Sequence, residues 1–258
     1  MEAPTLTKVD VYFVAQSHSS RSYWSALMKA KSREKALARI SKSSPEGMVA
    51  EGIREVLGLL KTPCLVGLYA NVVIPADSAF EPHQVEWHGE RSDHQKAHFD
   101  RVGILAQLLF TLTDLLPEIV YLIPVAVRNC WTVFVITESD HVEVISDIDT
   151  STDRERRLHL LAVTNGLSVA PSPPQLPICI CTDSEYILTG QYGLPGWSRT
   201  WHTKHGEPLQ NADLWQIVWE HYQRRKILWQ ELPREQADLC KAYAKLTFEQ
   251  HQSKKQDL

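Results

Sequence analysis

The sequence has no C-x-x-C pair. Its five cysteines are odd in number and scattered, and only Cys179 and Cys181 lie close together. This pattern excludes a zinc knuckle and a disulfide framework, and it predicts free thiols in a reducing compartment. Because residues two apart in a strand share one face, we expect Cys179 and Cys181 to lie side by side in the core.

Long apolar runs are also absent. The most apolar region, residues 102–127, is interrupted by Asp114, Pro117, Glu118 and Pro124. No run reaches the roughly 18 apolar residues that predict a membrane span. The first residues lack the basic start and apolar core of a signal peptide. We therefore expect a soluble, intracellular protein, cytoplasmic and without a membrane partner.

A strong excess of charge of one sign is missing as well. The 27 Lys and Arg residues and 31 Asp and Glu residues give a net charge of -4. This balance excludes a protein that coats nucleic acid by overall charge alone. What the sequence does contain is 43% hydrophobic residues, enough for a packed core in one large domain or two small ones.

One order of predicted elements occurs twice along the chain. In each half, three strand-like runs precede a helix, a strand, a further strand and a final helix. Hydrophobic periodicity places the helices at about 46–60, 99–116, 154–167 and 234–250. We predict an α/β fold of two tandem domains, residues 1–116 and 117–258, each a mixed five-stranded sheet with flanking helices. Chance similarity between two α/β stretches is the alternative.

The second half resembles a known family. "TDSEYILTG", from Thr182, resembles the fourth strand of ribonuclease H and the helix start that follows it. "GWSRTWHTKHGEPLQNADLWQIVWEHYQRRKILWQEL", from Gly196, is similar to the bacterial-type substrate handle, an insertion placed at about 190–226, and to the strand after it. "EQADLCKAYAK" resembles the last helix, with Asp238 at its acidic position. The resemblance is clear over about 178–245. With the internal repeat, it implies a degenerate ribonuclease H-like copy without the handle in the first half.

This resemblance implies a particular chemistry. Ribonucleases H hydrolyse the RNA strand of an RNA–DNA hybrid with two magnesium ions held by four carboxylates. Several anionic oxygens are needed because the two dications repel each other. Asp183 and Asp238 fall at the third and fourth positions, but His159 and Val125 fall at the second and first. Since valine binds no metal and histidine is a poor substitute for a bridging carboxylate, the resemblance implies only a vestigial catalytic and metal site.

The first half has no carboxylate at the corresponding positions, which hold Val14, Val49, Asn71 and, loosely, Gly103. Both halves therefore look like ribonuclease H folds that have lost catalytic groups. One alternative stays open for the second half. If "TVFVITES" is the first strand, Glu138 is its carboxylate, although few residues then remain before His159 for two further strands.

Two groups of residues are candidate nucleic-acid contacts. The first predicted hairpin carries Lys29, Lys31, Arg33 and Lys35, which suit phosphate binding or, alternatively, a solvated edge protected from aggregation. The handle carries aromatic residues among cations, a composition that suits stacking and backbone contact, at Trp197, Arg199, Trp201, Lys204, Arg224 and Arg225. The helical spacing of Trp215, Val218 and Trp219 instead favours packing of the handle on the domain.

Three functions follow as hypotheses. The preferred one is a pseudoenzyme without a cofactor, which binds nucleic acid, such as an RNA–DNA hybrid or a duplex, or a protein partner. The second is an active ribonuclease H that uses Mg²⁺. The third is a purely structural subunit that binds a protein.

Overall fold

The structure is a computed structural model. It describes residues 6–18, 21–31, 33–41, 43–72, 80–88, 95–112, 115–116, 118–138, 141–149, 155–171 and 176–256. The chain divides into two compact units, Met1–Phe110 and Thr111–Leu258. Among the helices in the described ranges, none combines the length and the apolar character that a membrane crossing requires.

The first unit has the element order that the sequence predicts. Its elements are β1 (Thr7–His18), β2 (Arg21–Ala30), β3 (Arg33–Ser41), α1 (Pro45–Gly58), β4 (Cys64–Ala70), β5 (Gln84–His88) and α2 (Lys96–Thr111). The strands lie in the order β3-β2-β1-β4-β5. The β1–β2 and β2–β3 pairs are antiparallel, and the β1–β4 and β4–β5 pairs are parallel. The sheet is therefore mixed, as predicted.

Helix α1 shows how local sequence positions an element on this sheet. Ser44 accepts a hydrogen bond from the Gly47 amide, and Pro45 occupies the first turn, where its missing N–H costs nothing. Gly52 lets the helix approach the sheet closely. A Cβ at this position would lie 2.8 Å from ring atoms of both Phe13 and Trp24. The apolar face of α1 thus closes the core over β1 and β2.

The second unit repeats this order and adds two helices before its last strand. Its elements are β6 (Val120–Val127), β7 (Cys130–Glu138), β8 (His141–Ile148), α3 (Glu155–Val169), β9 (Ile178–Thr182), α4 (Glu185–Trp197), α5 (Ala212–Arg224), β10 (Ile227–Glu231) and α6 (Arg234–Gln256). The strand order is β10-β9-β6-β7-β8, with β6–β7 and β7–β8 antiparallel and β9 parallel to both neighbours. Each unit is thus a mixed five-stranded sheet with flanking helices.

The first strand of the second unit is β6, and β7 is the second. The alternative that "TVFVITES" is the first strand, with Glu138 as its carboxylate, is therefore wrong. The second unit thus begins with the predicted apolar run around Pro124, although sequence rules disfavour proline in an interior strand. Here Pro124 lies within β6, opposite Val133 of β7.

Alternation along the short strand β9 divides its side chains between two faces. Ile178 and Ile180 belong to the core cluster that includes the buried residues of α3. Cys179 and Cys181 point to the opposite face and are 4% and 6% exposed. The prediction that these cysteines share one face in the core is confirmed, and the next residue on that face is Asp183.

Candidate functional site

Asp183 lies where a buried parallel strand ends. All five residues of β9 are buried, and α4 begins two residues after Asp183, with Ser184 at its N-cap. The Asp183 side chain is 25% exposed. Asp183 thus lies at the end of a parallel strand, as the sequence predicts, and it lines a cleft there.

The partner of Asp183 is a lysine. Lys241 Nζ on α6 donates a hydrogen bond to Asp183 Oδ2, and the lysine side chain is 42% exposed. The cation that the Asp183 carboxylate contacts is therefore the Lys241 ammonium group. At a metal site the same carboxylate would contact a metal ion. Lys241 was not among the residues that the sequence indicated. The available signal was a charged residue between the small, buried positions Cys240 and Ala244 of one helix.

His159 is a neutral, buried imidazole on α3. It is 2% exposed, and its Nδ1 lies 3.1 Å from the Glu155 carbonyl oxygen. Because a carbonyl only accepts, Nδ1 must carry the proton and Nε2 is left as an acceptor. Burial lowers the pKa of His159 below its ordinary 6.5, against the opposing effects of the Glu155 carbonyl and the Glu155 and Asp183 charges. This side chain supplies no negative charge.

The other two predicted positions do not join Asp183 in an acidic cluster. Val125 on β6 is fully buried. Asp238 on α6 is 69% exposed, and its Oδ2 lies 3.9 Å from Arg234 Nε. The preceding residue, Ala237, is 2% exposed. The helix therefore brings Lys241 into contact with Asp183 and turns Asp238 toward solvent.

The cleft beside Asp183 has a volume of about 510 Å³. Its lining is polar and consists of Glu155, Arg156, His159, Asp183, Ser184, Glu185, Tyr186 and Thr189. Within the described ranges, no group of three or more His, Cys, Asp or Glu side chains is arranged to hold a metal ion. Because Mg²⁺ requires several oxygen ligands and Asp183 already pairs with an ammonium, these residues do not fit a magnesium site.

The corresponding positions of the first unit serve its core and backbone. Val14 and Val49 are 2% and 6% exposed. Asn71 Oδ1 accepts a hydrogen bond from the Ala15 amide at 3.0 Å, and Asn71 Nδ2 lies 3.5 Å from the Ala15 carbonyl oxygen. The Asn71 amide thus bridges β4 to β1, a structural role that needs no charge.

The predicted basic hairpin is the β2–β3 turn. Lys31 forms the turn in a left-handed conformation with φ 51°, and Lys31 and Arg33 are exposed. Lys29 Nζ lies 3.5 Å from His98 Nε2, and Lys35 is half-buried. Two cations therefore project at the tip, and two lie lower on the strands.

In the handle, tryptophans pack and cations face solvent. Trp215 is fully buried, and the Trp197 ring contacts it edge-on at 5.9 Å. Trp197 and Trp201 are both half-buried against the core of the second unit. This agrees with the packing alternative, and nucleic-acid stacking by these two rings stays a prediction. The cations Arg199, Lys204 and Arg224 are exposed, and Arg225 is half-buried.

A second ion pair that the sequence did not indicate fixes the handle helix. The two Nη atoms of Arg157 donate to the Asp213 carboxylate at 3.0 and 2.7 Å, which joins α3 to the first turn of α5. The hydrogen bond from Arg157 lowers the pKa of Asp213 below its usual 3.8 and raises the pKa of Arg157. Paired charges on distant elements leave no local signal in a sequence.

Comparison with known proteins finds a similarity that includes most of the second unit. Residues 127–234 match the family model described as RNase H. The chain is 38% identical over 76 residues to ribonuclease H of Pseudomonas paraeruginosa (strain DSM 24068 / PA7), a match that covers 29% of this chain and 50% of that protein. It is 34% identical over 91 residues to ribonuclease H of Thiobacillus denitrificans (strain ATCC 25259 / T1), covering 34% and 60%. The chain thus spans about half the length of the curated relatives it matches.

A solved structure is similar over a longer stretch. This is a foamy viral protease-reverse transcriptase in complex with an RNA/DNA hybrid, with a TM-score of 0.42 and 14% identity. The match covers 93% of this chain and 38% of that one. A structure of the foamy viral protease-reverse transcriptase with dsDNA matches 51% of this chain and 96% of its own, with a TM-score of 0.39 and 19% identity.

Proposed function

We propose that the chain is a non-catalytic member of the ribonuclease H superfamily, which its residues 127–234 resemble, and that it binds nucleic acid, as an RNA–DNA hybrid or a duplex. The observation that carries the proposal is the ion pair between Asp183 and Lys241.

The charge of the site argues against metal-dependent hydrolysis. Two-metal catalysis needs a set of anionic oxygens that holds both ions while they activate water and stabilise the leaving oxygen. Here the Asp183 charge is balanced by Lys241, and Val125 and His159 are uncharged. An ammonium group donates hydrogen bonds, but it has no coordination positions for water or phosphate oxygens. We therefore expect no cleavage with Mg²⁺ or Mn²⁺.

Local cations support nucleic-acid binding despite the net charge of -4. Lys31 and Arg33 project from the β2–β3 turn, and Arg199, Lys204 and Arg224 are exposed on the handle. Contacts between such side chains and phosphates release counterions, so affinity falls steeply with salt. Separate cationic patches are sufficient for this contribution to the affinity. Counterion release depends on the number of phosphates contacted and not on the charge of the whole chain.

The test uses one labelled RNA–DNA hybrid for cleavage and for binding. Wild-type protein in large excess is incubated with Mg²⁺ and then Mn²⁺, beside Asp183→Asn. Fluorescence anisotropy on the same hybrid is measured over a series of salt concentrations. We expect no cleavage and saturable binding, with a salt slope that becomes shallower by about 0.9 for each phosphate contact removed.

Two charge-matched triple variants locate the surface. Replacing Lys31, Arg33 and Lys35 by Gln should weaken binding and reduce the salt slope. The control replaces the exposed residues Arg54, Lys61 and Lys96 by Gln and should leave the affinity and the salt slope unchanged. Cleavage that disappears in Asp183→Asn would show an active ribonuclease H. The absence of salt-dependent binding would refute the nucleic-acid assignment.

A further inference from the structure

The thiols of Cys179 and Cys181 lean toward each other on one face of β9. Their Sγ atoms are 3.7 Å apart, and a second contact joins Cys179 Sγ to Gln230 Oε1 of β10 at 3.8 Å. Both cysteines are free. Two sulfur atoms and one amide oxygen are therefore clustered outside the cleft beside Asp183.

The strand geometry disfavours a disulfide between them. Residues two apart in a strand have Cα atoms roughly 6.6 Å apart, near the upper limit of disulfide geometry. β9 is hydrogen-bonded to β6 on one side and β10 on the other, so it cannot shorten without breaking the sheet. The backbone therefore holds the two thiols near each other but does not let them approach to the length of a disulfide bond.

The same separation suits a tetrahedral metal ion. With metal–sulfur bonds of about 2.3 Å, two sulfur ligands of a tetrahedral site lie roughly 3.8 Å apart. The observed separation of the two Sγ atoms is 3.7 Å. A bound cation would displace the protons of both thiols.

A cavity of about 150 Å³ lies beside Cys181 and Gln230 of this cluster. Cys181 and Gln230 both line it, and its other walls include Tyr121, Ile123 and Gln236. The space is sufficient for a metal ion and a coordinated water molecule. Metal exchange at a buried thiol pair needs an entry path, and this cavity reaches the pair at Cys181.

We propose that Cys179 and Cys181 form a binding site for one thiophilic d¹⁰ divalent cation, Zn²⁺ or Cd²⁺, with the Gln230 side-chain oxygen as a further ligand. Binding releases the thiol protons and makes two metal–sulfur bonds, with no change of oxidation state. The site is independent of the proposed nucleic-acid binding. Since its main ligands are sulfur atoms, the site favours soft cations and excludes Mg²⁺.

The full-length, reduced protein is titrated with Cd²⁺, and the thiolate-to-metal charge-transfer absorption is recorded. We expect saturation at one Cd²⁺ per chain, competition by Zn²⁺ and no effect of Mg²⁺. Cys179→Ala and Cys181→Ala should each abolish the saturable band, and Gln230→Ala should weaken binding by roughly 10-fold or more. Cys64→Ala, in the buried strand β4, is the matched control and should retain the band.

A measurement on wild-type protein alone guards against variants that fail to fold. X-ray absorption of the cadmium complex should give two sulfur neighbours and otherwise oxygen. A single sulfur, a band that survives in both Cys→Ala variants, one metal per two chains, or no saturable band would each overturn the proposal.

Discussion

The Trp215 ring lies directly on Gly190. A Cβ at position 190 would be 2.4 Å from Cη2 and Cζ2 of that ring. The ring cannot easily move, because Trp215 Nε1 donates to the Tyr186 hydroxyl at 3.0 Å and Trp197 contacts the ring edge-on. Close approach of α4 to α5 therefore depends on the missing side chain at position 190.

Gly190→Ala should destabilise the second unit by about 1–3 kcal/mol, since overpacking forces neighbouring side chains to shift. The measurement is urea unfolding followed by circular dichroism. Gly196→Ala is the control in the same helix, because no atom lies within 4 Å of its Cβ position. That variant should be neutral or slightly stabilised. Equal effects of the two substitutions would contradict the steric explanation.

Asp183 and Lys241 should be energetically coupled. A double-mutant cycle with Asp183→Asn and Lys241→Met should give a coupling of about 1 kcal/mol, because both side chains are partly shielded from water. The comparison is the Arg234–Asp238 pair, whose side chains are 95% and 69% exposed. Its coupling should be close to zero. Additive effects at Asp183 and Lys241 would mean that the ion pair does not persist in solution.

The Arg157–Asp213 pair should make stability depend on acid pH. The hydrogen bond from Arg157 depresses the folded-state pKa of Asp213 below 3.8, so the pair stabilises the protein above that pH. The contribution is lost as the pH falls through the folded-state value. Asp213 is 59% exposed, so Asp213→Asn should cost only about 0.5 kcal/mol at pH 7.

Unfolding at pH 7 and pH 3 would test this dependence. The difference between wild type and Asp213→Asn should shrink at pH 3. An NMR titration should place the Asp213 pKa below its ordinary value in the wild type and closer to that value in Arg157→Met. A difference in stability that is constant with pH would exclude the ion pair as its cause.

Buried His159 should also make stability depend on pH, but in a range closer to neutral. Burial lowers its folded-state pKa, so the unfolded chain binds a proton at higher pH than the folded chain does. Its contribution is complete above the unfolded value near 6.5 and is lost as the pH falls toward the folded-state pKa. The loss has a limiting slope of about 1.4 kcal/mol per pH unit.

Stability profiles between pH 8 and pH 5 should therefore converge or cross for wild type and His159→Leu, as the wild type loses stability on acidification. His205→Leu, at an exposed handle position, should run parallel to the wild type. A profile of His159→Leu that runs parallel to the wild type would show that folding does not lower the pKa of His159.

Hydrophobic patterning predicts the order of elements well, because each strand and helix must bury one face. Hydrophobic patterning does not predict the ends of elements where buried and exposed residues fail to mark the boundary. Helix α6 continues to Gln256, beyond the predicted end at residue 250, since its last turns are polar. Helix α2 ends at Thr111, before the predicted residue 116, although Leu112 beyond it is still buried.

The site was predictable only in part. Asp183 follows an apolar run that had to be a strand, so its place at the strand end could be inferred. The contact with Lys241 joins residues 58 positions apart and depends on how α6 packs on the sheet. A lysine in a helix is ordinary in sequence, and only the packed structure shows which lysine meets which carboxylate.

The ion pair at Asp183 also changes what controls the charge of that site. A magnesium ion exchanges with solvent, so its occupancy follows the metal content of the surroundings. The Lys241 ammonium is attached to α6, and its local concentration is set by the length of its own side chain. Dialysis and chelators cannot remove it. The charge beside Asp183 is thus fixed by the amino-acid sequence and does not vary with the concentration of metal ions.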